Sequence, residues 1–265
     1  MADRVLAKTW VVLSDVHVPY ENKPFVDAAC ELIADIKPHG LILNGDIINF
    51  DEISRHNAGS VALLEGKRFA QSITATNKFL DKVDAAAGVR CKEKYWHDGN
   101  HESNLYRWML RGDNAVFMDD PALSLPSRLR LKERGYIYKG DYPNAYTKIG
   151  KLLVTHGQYC SKFPAARHME KYQVSTLVGH VHTEQTFAAS TWDEPRISYT
   201  QGHMADEESE GMSYYPRPRP WISSFSVVHV RPNGMFYRVP VQWVDGAMFY
   251  GSNAYPKKLR RQKAA

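Results

Sequence analysis

The chain has no apolar run of the about 18 residues that a membrane-spanning helix requires. A helical membrane span is thereby excluded, and no membrane partner is expected. Cysteine is scarce. Cys30, Cys91 and Cys160 stand far apart among 265 residues, with no Cys-x-x-Cys spacing. That excludes a disulfide framework or a thiolate zinc module and points to reduced thiols in the cytoplasm. The first residues lack the succession of basic, apolar and small residues that marks a signal peptide. Internal repeats are absent, and the sole biased stretch is a short Pro-Arg alternation at 216–220. The charge excess is small, 34 basic against 29 acidic residues, and much of it sits in Lys257-Lys258-Leu259-Arg260-Arg261-Gln262-Lys263.

Hydrophobic residues make up 43% of the chain and charged residues 24%. These are ordinary globular values, and the length can bury a core without staples. A single domain over 1–255 is expected, followed by a basic tail at 256–265. A solvated, disordered tail is the simpler reading of that segment, and contact with nucleic acid the second.

Several short apolar runs each stop at a polar turn. Trp10 to Leu13 stops at Ser14-Asp15-Val16-His17. Phe25, Ala28, Ala29, Leu32, Ile33 and Ile36 then carry a helical period, ended by Pro38 and Gly40. Leu41-Ile42-Leu43 stops at Asn44-Gly45-Asp46. This β-α-β order implies parallel pairing and a right-handed crossover. A second helix is expected over about 68–87, with Phe69, Ile73, Phe79, Leu80 and Val83 near its buried side. Lys94 to His97 is the third strand, delivering Asp98-Gly99-Asn100-His101-Glu102. A helix follows at 104–110. Tyr136–Lys139, Ala145–Ile149 and Leu152–Thr155 are expected strands, the last stopping at His156-Gly157. A helical stretch spans about Ala165–Tyr172, and Thr176-Leu177-Val178 then runs into Gly179-His180-Val181-His182. The remainder reads as β, with strands at 185–189, 196–200, 223–230 and 235–241. Arg231-Pro232-Asn233-Gly234 is a hairpin turn between the last two.

Strand ends are where α/β sheets place ligand groups. Asp15 and His17 are two apart, so they share a face of extended chain and could bind one cation. In Asn100-His101, the amide oxygen is a neutral metal ligand and the imidazole can reach a leaving group. Carboxylate, imidazole and amide donors without thiolate suit Mn²⁺, Fe²⁺, Co²⁺, Ni²⁺ or Zn²⁺. Glu102 either orients His101 or caps the following helix, and capping is preferred. His39, His56, His97, His168, His203 and His229 have no marking spacing. His56 and His203 fall in polar loops and are kept as substrate-side candidates. The Pro-Arg stretch lies in the 202–222 loop, which reads as a surface loop rather than a groove wall.

Taken together, Asp15-x-His17, Gly45-Asp46, Gly99-Asn100-His101, His156-Gly157 and Gly179-His180-x-His182 resemble the five signature blocks of the calcineurin-like metallophosphoesterase superfamily, in the same order. The blocks span residues 15–182. The resemblance implies a four-layer α/β/β/α sandwich of two mixed β-sheets flanked by helices, with a dimetal site at the carboxyl ends of the strands. It implies one divalent ion on Asp15, His17 and His182 and another on Asn100, His156 and His180. Asp46 would bridge the two, Mn²⁺ being the favoured ion. It further implies in-line attack of a metal-bridging hydroxide on a phosphate ester, with His101 binding phosphate and acting as the general acid. Asp46 and His101 are the catalytic expectations. Phosphoprotein phosphatases of this superfamily carry phosphate-gripping arginines after Gly-Asp and before Gly-Asn-His. Phe50 and Asp98 stand there instead, and Asn49 replaces the usual Asp or His. A monoester dianion gains most from arginine. A phosphodiesterase acting on nucleotides or nucleic acid is therefore favoured over a phosphomonoesterase. A noncatalytic scaffold would be expected to lose ligands, and here the set is intact.

Overall fold

The computed structural model describes residues 7–190, 192 and 195–258. The chain opens with β1 (Lys8–Leu13), α1 (Lys23–Ile36) and β2 (Gly40–Asn44). A short α2 (Val61–Leu64) and a long α3 (Phe69–Ala87) lead to β3 (Glu93–His97). Then come α4 (Ser103–Met109), α5 (Leu125–Arg128), β4 (Tyr136–Lys139), β5 (Tyr146–Ile149) and β6 (Leu152–Thr155). α6 (Pro164–Tyr172) and β7 (Ser175–Val178) precede β8 (Gln185–Ser190) and β9 (Pro195–Thr200). The last part is β10 (Ser224–Val230), β11 (Phe236–Gln242) and a small ribbon of β12 (Met248–Tyr250) and β13 (Asn253–Tyr255).

Two mixed sheets result, ordered β11-β10-β1-β2-β3-β4 and β5-β6-β7-β9-β8. In the first, β1 to β4 run parallel and β10 returns antiparallel beside β1. In the second, β6, β7 and β9 run parallel, with antiparallel edges. Alternation along β1 explains the layering. Val11 and Leu13 pack on the helix side with Phe25, Leu32 and Leu80. Trp10 and Val12 pack between the sheets with Ile42, Leu152, Val154, Leu177 and Val228. Successive strand residues face opposite sides, so a fully apolar strand has to be covered twice. α1 and α3 share one core cluster with the first sheet, and α6 covers the second. The α/β/β/α sandwich is the architecture expected from the sequence.

Helix α1 shows how locally the layers are specified. Asn22 caps it by accepting the Phe25 N–H at 3.1 Å, and a proline occupies its first turn. It stops where Lys37 turns left-handed at φ 47°. The ribbon of β12 and β13 was not anticipated, since three-residue strands carry almost no periodic signal. Of the basic tail, Lys257 docks on α1, its N–H on Glu31 and its Nζ 2.6 Å from Asp35. Residues 259–265 of that tail lie outside the described residues. No helix among the described residues is long and apolar enough to cross a membrane.

Candidate metal centre

Five strand ends converge. β1, β2 and β3 deliver Asp15 and His17, Asp46, and Asn100 and His101, while β6 and β7 deliver His156, and His180 and His182. These strands are parallel within their sheets, so their carboxyl ends open on one side of the sandwich. Three groups of side chains have ligand atoms within 4.8 Å of one another: Asp15, His17 and His182; His17, Asp46 and His101; Asp46, His156 and His180. Asp46 belongs to two of them. Asn100 Oδ1 lies 3.2 Å from His156 Nε2. All seven residues expected as ligands are thus brought to one place, with His101 beside them.

The backbone here is bent against its preference. Asp15, His17, Asp46, His180 and His182 all have φ between 51° and 71°. Left-handed backbone costs a non-glycine residue about 1–3 kcal/mol, and it persists where surroundings over-determine it. The surroundings are visible. The Asp15 N–H donates to the Gly45 carbonyl and the His17 N–H to the Asp46 carbonyl, both at 3.0 Å. The His180 N–H donates to the Asp15 carboxylate at 3.0 Å, and the His101 N–H to Asp46 Oδ1 at 2.9 Å. Gly99 permits a close approach, since a Cβ there would sit 2.2 Å from Asp46 Oδ1.

Three imidazoles are oriented alike. His156 Nδ1 faces the Asn44 carbonyl at 2.8 Å, and His101 Nδ1 faces the Asn49 carbonyl at 2.6 Å. His17 Nδ1 faces Asn49 Oδ1 at 2.9 Å. Each acceptor is an oxygen without a proton, so Nδ1 is the donor and Nε2 is the nitrogen turned toward the cluster, free to take a cation or a proton. Asn49 thus holds His17 with its side chain and His101 with its backbone. Its own amide is fixed by Nδ2 donating to Asp51 Oδ1 at 2.6 Å. The Asp51 carboxylate in turn accepts from Tyr20 and Lys67.

Charge balance favours cations. Asp15, His17, Asp46, His156 and His182 are buried. Burial alone would raise the Asp46 carboxyl, yet the His156 and His101 charges hold it well below the usual range. Asp15 is lowered to about 2, burial being outweighed by His156 and His182. Burial would lower His156, but the carboxylates of Asp46 and Asp15 lift it to about 10. Two buried carboxylates therefore demand positive charge close by. A donor set of carboxylate, imidazole and amide fits divalent ions. Asn100, His101 and His180 are only partly buried, so the cluster opens on their side.

Glu102 departs from both expected roles. α4 receives no side-chain cap from it. Its carboxylate is buried and accepts four backbone N–H groups, from Asp46, Ile47, Ile48 and Gly99, at 2.7–2.9 Å. It pins the turn that carries Asp46 to the turn that carries Asn100. Burial and the Asp46 charge push its carboxyl up, against the N–H groups that hold it down. Glu102→Gln turns one acceptor oxygen into a donor and strands two of those N–H groups. The expected cost is about 2–4 kcal/mol, read by urea unfolding in chelator. A change below about 0.5 kcal/mol would contradict this role.

Two further readings are corrected. His203 is not on the substrate side. It is fully buried behind His182, ring centroids 5.0 Å apart, with Glu207 Oε1 3.3 Å from its Nε2. The 202–222 loop is not simply a surface loop. The Met204 N–H donates to the Asp15 carbonyl, and Trp221 lies 4.7 Å from the His182 ring. Its 213–218 portion does face solvent. The His56 side chain lies outside the described residues. Cys160 was passed over in the sequence because it stands alone there. Its Sγ sits 3.0 Å from His180 Nε2, on the open side of the cluster.

The fold and site define an α/β/β/α sandwich whose strand ends carry His, Asp and Asn groups able to hold divalent metal. No family model matches the chain. The chain is 24% identical over 203 residues to the gene 54 protein of Mycobacterium phage D29, across 71% of this chain and 73% of that protein. It is 21% identical over 190 residues to the gene 54 protein of Mycobacterium phage L5, across 68% and 71%. Among solved structures, Vacuolar Protein Sorting 29 from Cryptosporidium parvum aligns with a TM-score of 0.48 and 13% identity. That alignment covers 94% of this chain and 98% of that one. Vps29 from Chaetomium thermophilum aligns with a TM-score of 0.39 and 10% identity, over 89% and 98%.

Proposed function

We propose that the protein is a dimetal-dependent phosphodiesterase of the calcineurin-like type, cleaving nucleotide or nucleic-acid phosphodiesters. The observation that carries this is three overlapping groups of candidate ligands, in which Asp46 and His17 each belong to two and join Asp15 and His182 on one side to His156 and His180 on the other. Asp15, His17 and His182 would hold one ion, and Asn100, His156 and His180 the other. Asp46 would serve both, since a carboxylate offers two oxygens. When bound, such a pair activates water at neutral pH and clamps phosphoryl oxygens. Mn²⁺ suits the donors, as do Fe²⁺, Co²⁺, Ni²⁺ and Zn²⁺.

The chain's own residues supply the rest. His101 Nε2 is 3.9 Å from Asp46 Oδ2, and its Nδ1 is committed to the Asn49 carbonyl. A proton on Nε2 can therefore pass to a leaving oxygen at the open side. His101 is beside the ligands without being needed as one. The preference for diesters rests on the two positions where phosphatases of this type carry arginine. Phe50 is buried in the core and stacks on Phe69, ring centroids 5.6 Å apart. Asp98 is also buried, tied to the Trp96 indole and the Tyr138 hydroxyl at 2.9 and 2.6 Å. Neither position can grip a phosphate dianion.

The test compares bis-p-nitrophenyl phosphate with p-nitrophenyl phosphate in chelated enzyme restored with Mn²⁺. A higher kcat/KM for the diester is expected, with no turnover before Mn²⁺ is returned. A higher value for the monoester would make the protein a phosphatase. No turnover of either ester with Mn²⁺ bound would leave a metal-binding scaffold.

A further inference from the structure

If arginines do not hold the phosphate, something else has to. Two phenols stand near the cluster. Tyr142 comes from the loop between β4 and β5, half-buried, and its ring packs edgewise on His156 at 5.9 Å. Tyr214 comes from the 202–222 loop and approaches the cluster through a stack. Its ring lies 5.8 Å from Trp221, which lies 4.7 Å from His182. His156 and His182 belong to different ligand groups. Tyr142 thus touches the cluster directly, and Tyr214 approaches it through Trp221.

Their hydroxyls are uncommitted. Tyr20, Tyr136, Tyr138 and Tyr255 each end on a carboxylate. Among the described residues, the Tyr142 and Tyr214 hydroxyls have no hydrogen-bond partner. Tyr214 is 61% exposed, so the position is open to an incoming molecule. A phenol is an O–H donor at neutral pH. Aromatic contacts of this kind hold a ring in place as well as burying it. Arg219 adds to the stack, its guanidinium 4.9 Å from the Trp221 ring.

We propose that Tyr142 and Tyr214 are the substrate-gripping donors of this site, taking the place that arginines hold in phosphatases. Each hydroxyl donates to an oxygen of the diester. Neutral donors match a monoanionic diester, whereas a dianion calls for charge. The rings beside them offer flat faces to aromatic ester groups such as nucleobases, which stack on side chains of this type. This inference rests on the phosphodiesterase reading.

The variants are Tyr142→Phe and Tyr214→Phe, which remove the oxygen and keep the ring. Two readouts are needed: kcat/KM for bis-p-nitrophenyl phosphate, and the affinity of Mn²⁺-loaded protein for inorganic phosphate by titration calorimetry. Each single variant is expected to lose about three- to tenfold in both, and the double variant more. Bound Mn²⁺ and melting temperature should stay at wild-type values, which a purely structural role would not allow. Wild-type values in both readouts for both variants would overturn the proposal. If wild-type protein cleaves no diester, the phosphodiesterase reading fails, and the phosphate titration still decides on the tyrosines by itself.

Discussion

Asp46→Asn is expected to remove bound divalent metal and to lower kcat/KM by roughly four orders of magnitude or more. Asp46 is the residue that two ligand groups share, with Oδ2 3.3 Å from His156 Nε2 and Oδ1 accepting the His101 N–H. An amide at this position keeps the oxygen that holds His101 and discards the charge that two cations need. Asparagine is preferable to alanine as the test. Asp46 sits at φ 51°, a conformation that asparagine tolerates and alanine resists. Loss of metal after Asp46→Ala could come from a collapsed turn. After Asp46→Asn it reports on charge. Metal content by equilibrium dialysis and melting in chelator separate the two. Retention of both ions at wild-type affinity would show that Asp46 is not shared between them.

His101→Ala should behave differently. The ions are expected to stay, because two of the three groups, Asp15 with His17 and His182 and Asp46 with His156 and His180, do not include it. Turnover is expected to fall about 10²–10⁴-fold, the range for loss of a positioned general acid. The fall should depend on the leaving group. An alkoxide needs a proton in the transition state, whereas p-nitrophenolate scarcely does. Diesters with poor leaving groups should therefore lose most, and p-nitrophenyl esters least. The Nδ1 contact to the Asn49 carbonyl, at 2.6 Å, sets this up by leaving Nε2 to carry the mobile proton. Equal losses across leaving groups would assign His101 to phosphate binding alone.

Much of the site could be read from the chain because its chemistry sits at strand ends. Asp15, His17, Asp46, Asn100, His156, His180 and His182 each stand within four residues of the end of a strand. Local pattern therefore places them, and parallel pairing brings them together. The rest depends on contacts between distant residues. Glu102 looks like a helix cap because it precedes α4. Its true partners at 46–48 lie over 50 residues earlier and leave no mark on its neighbours. Asn49 is next to the Gly-Asp block, yet its role follows from His17 and His101, on either side in sequence. His203 sits among polar residues and reads as exposed. It is buried because the loop returns through Trp221 onto His182. Cys160 and Tyr142 carry no spacing at all, and only the fold brings them to the cluster.

The most direct test of the dimetal site is electron paramagnetic resonance of protein titrated with Mn²⁺ to saturation. Two ions per chain sharing Asp46 should give an exchange-coupled spectrum that replaces the sextet of an isolated ion. A spectrum that stays an isolated sextet at saturation, with one ion per chain or two uncoupled ones, would contradict a shared site.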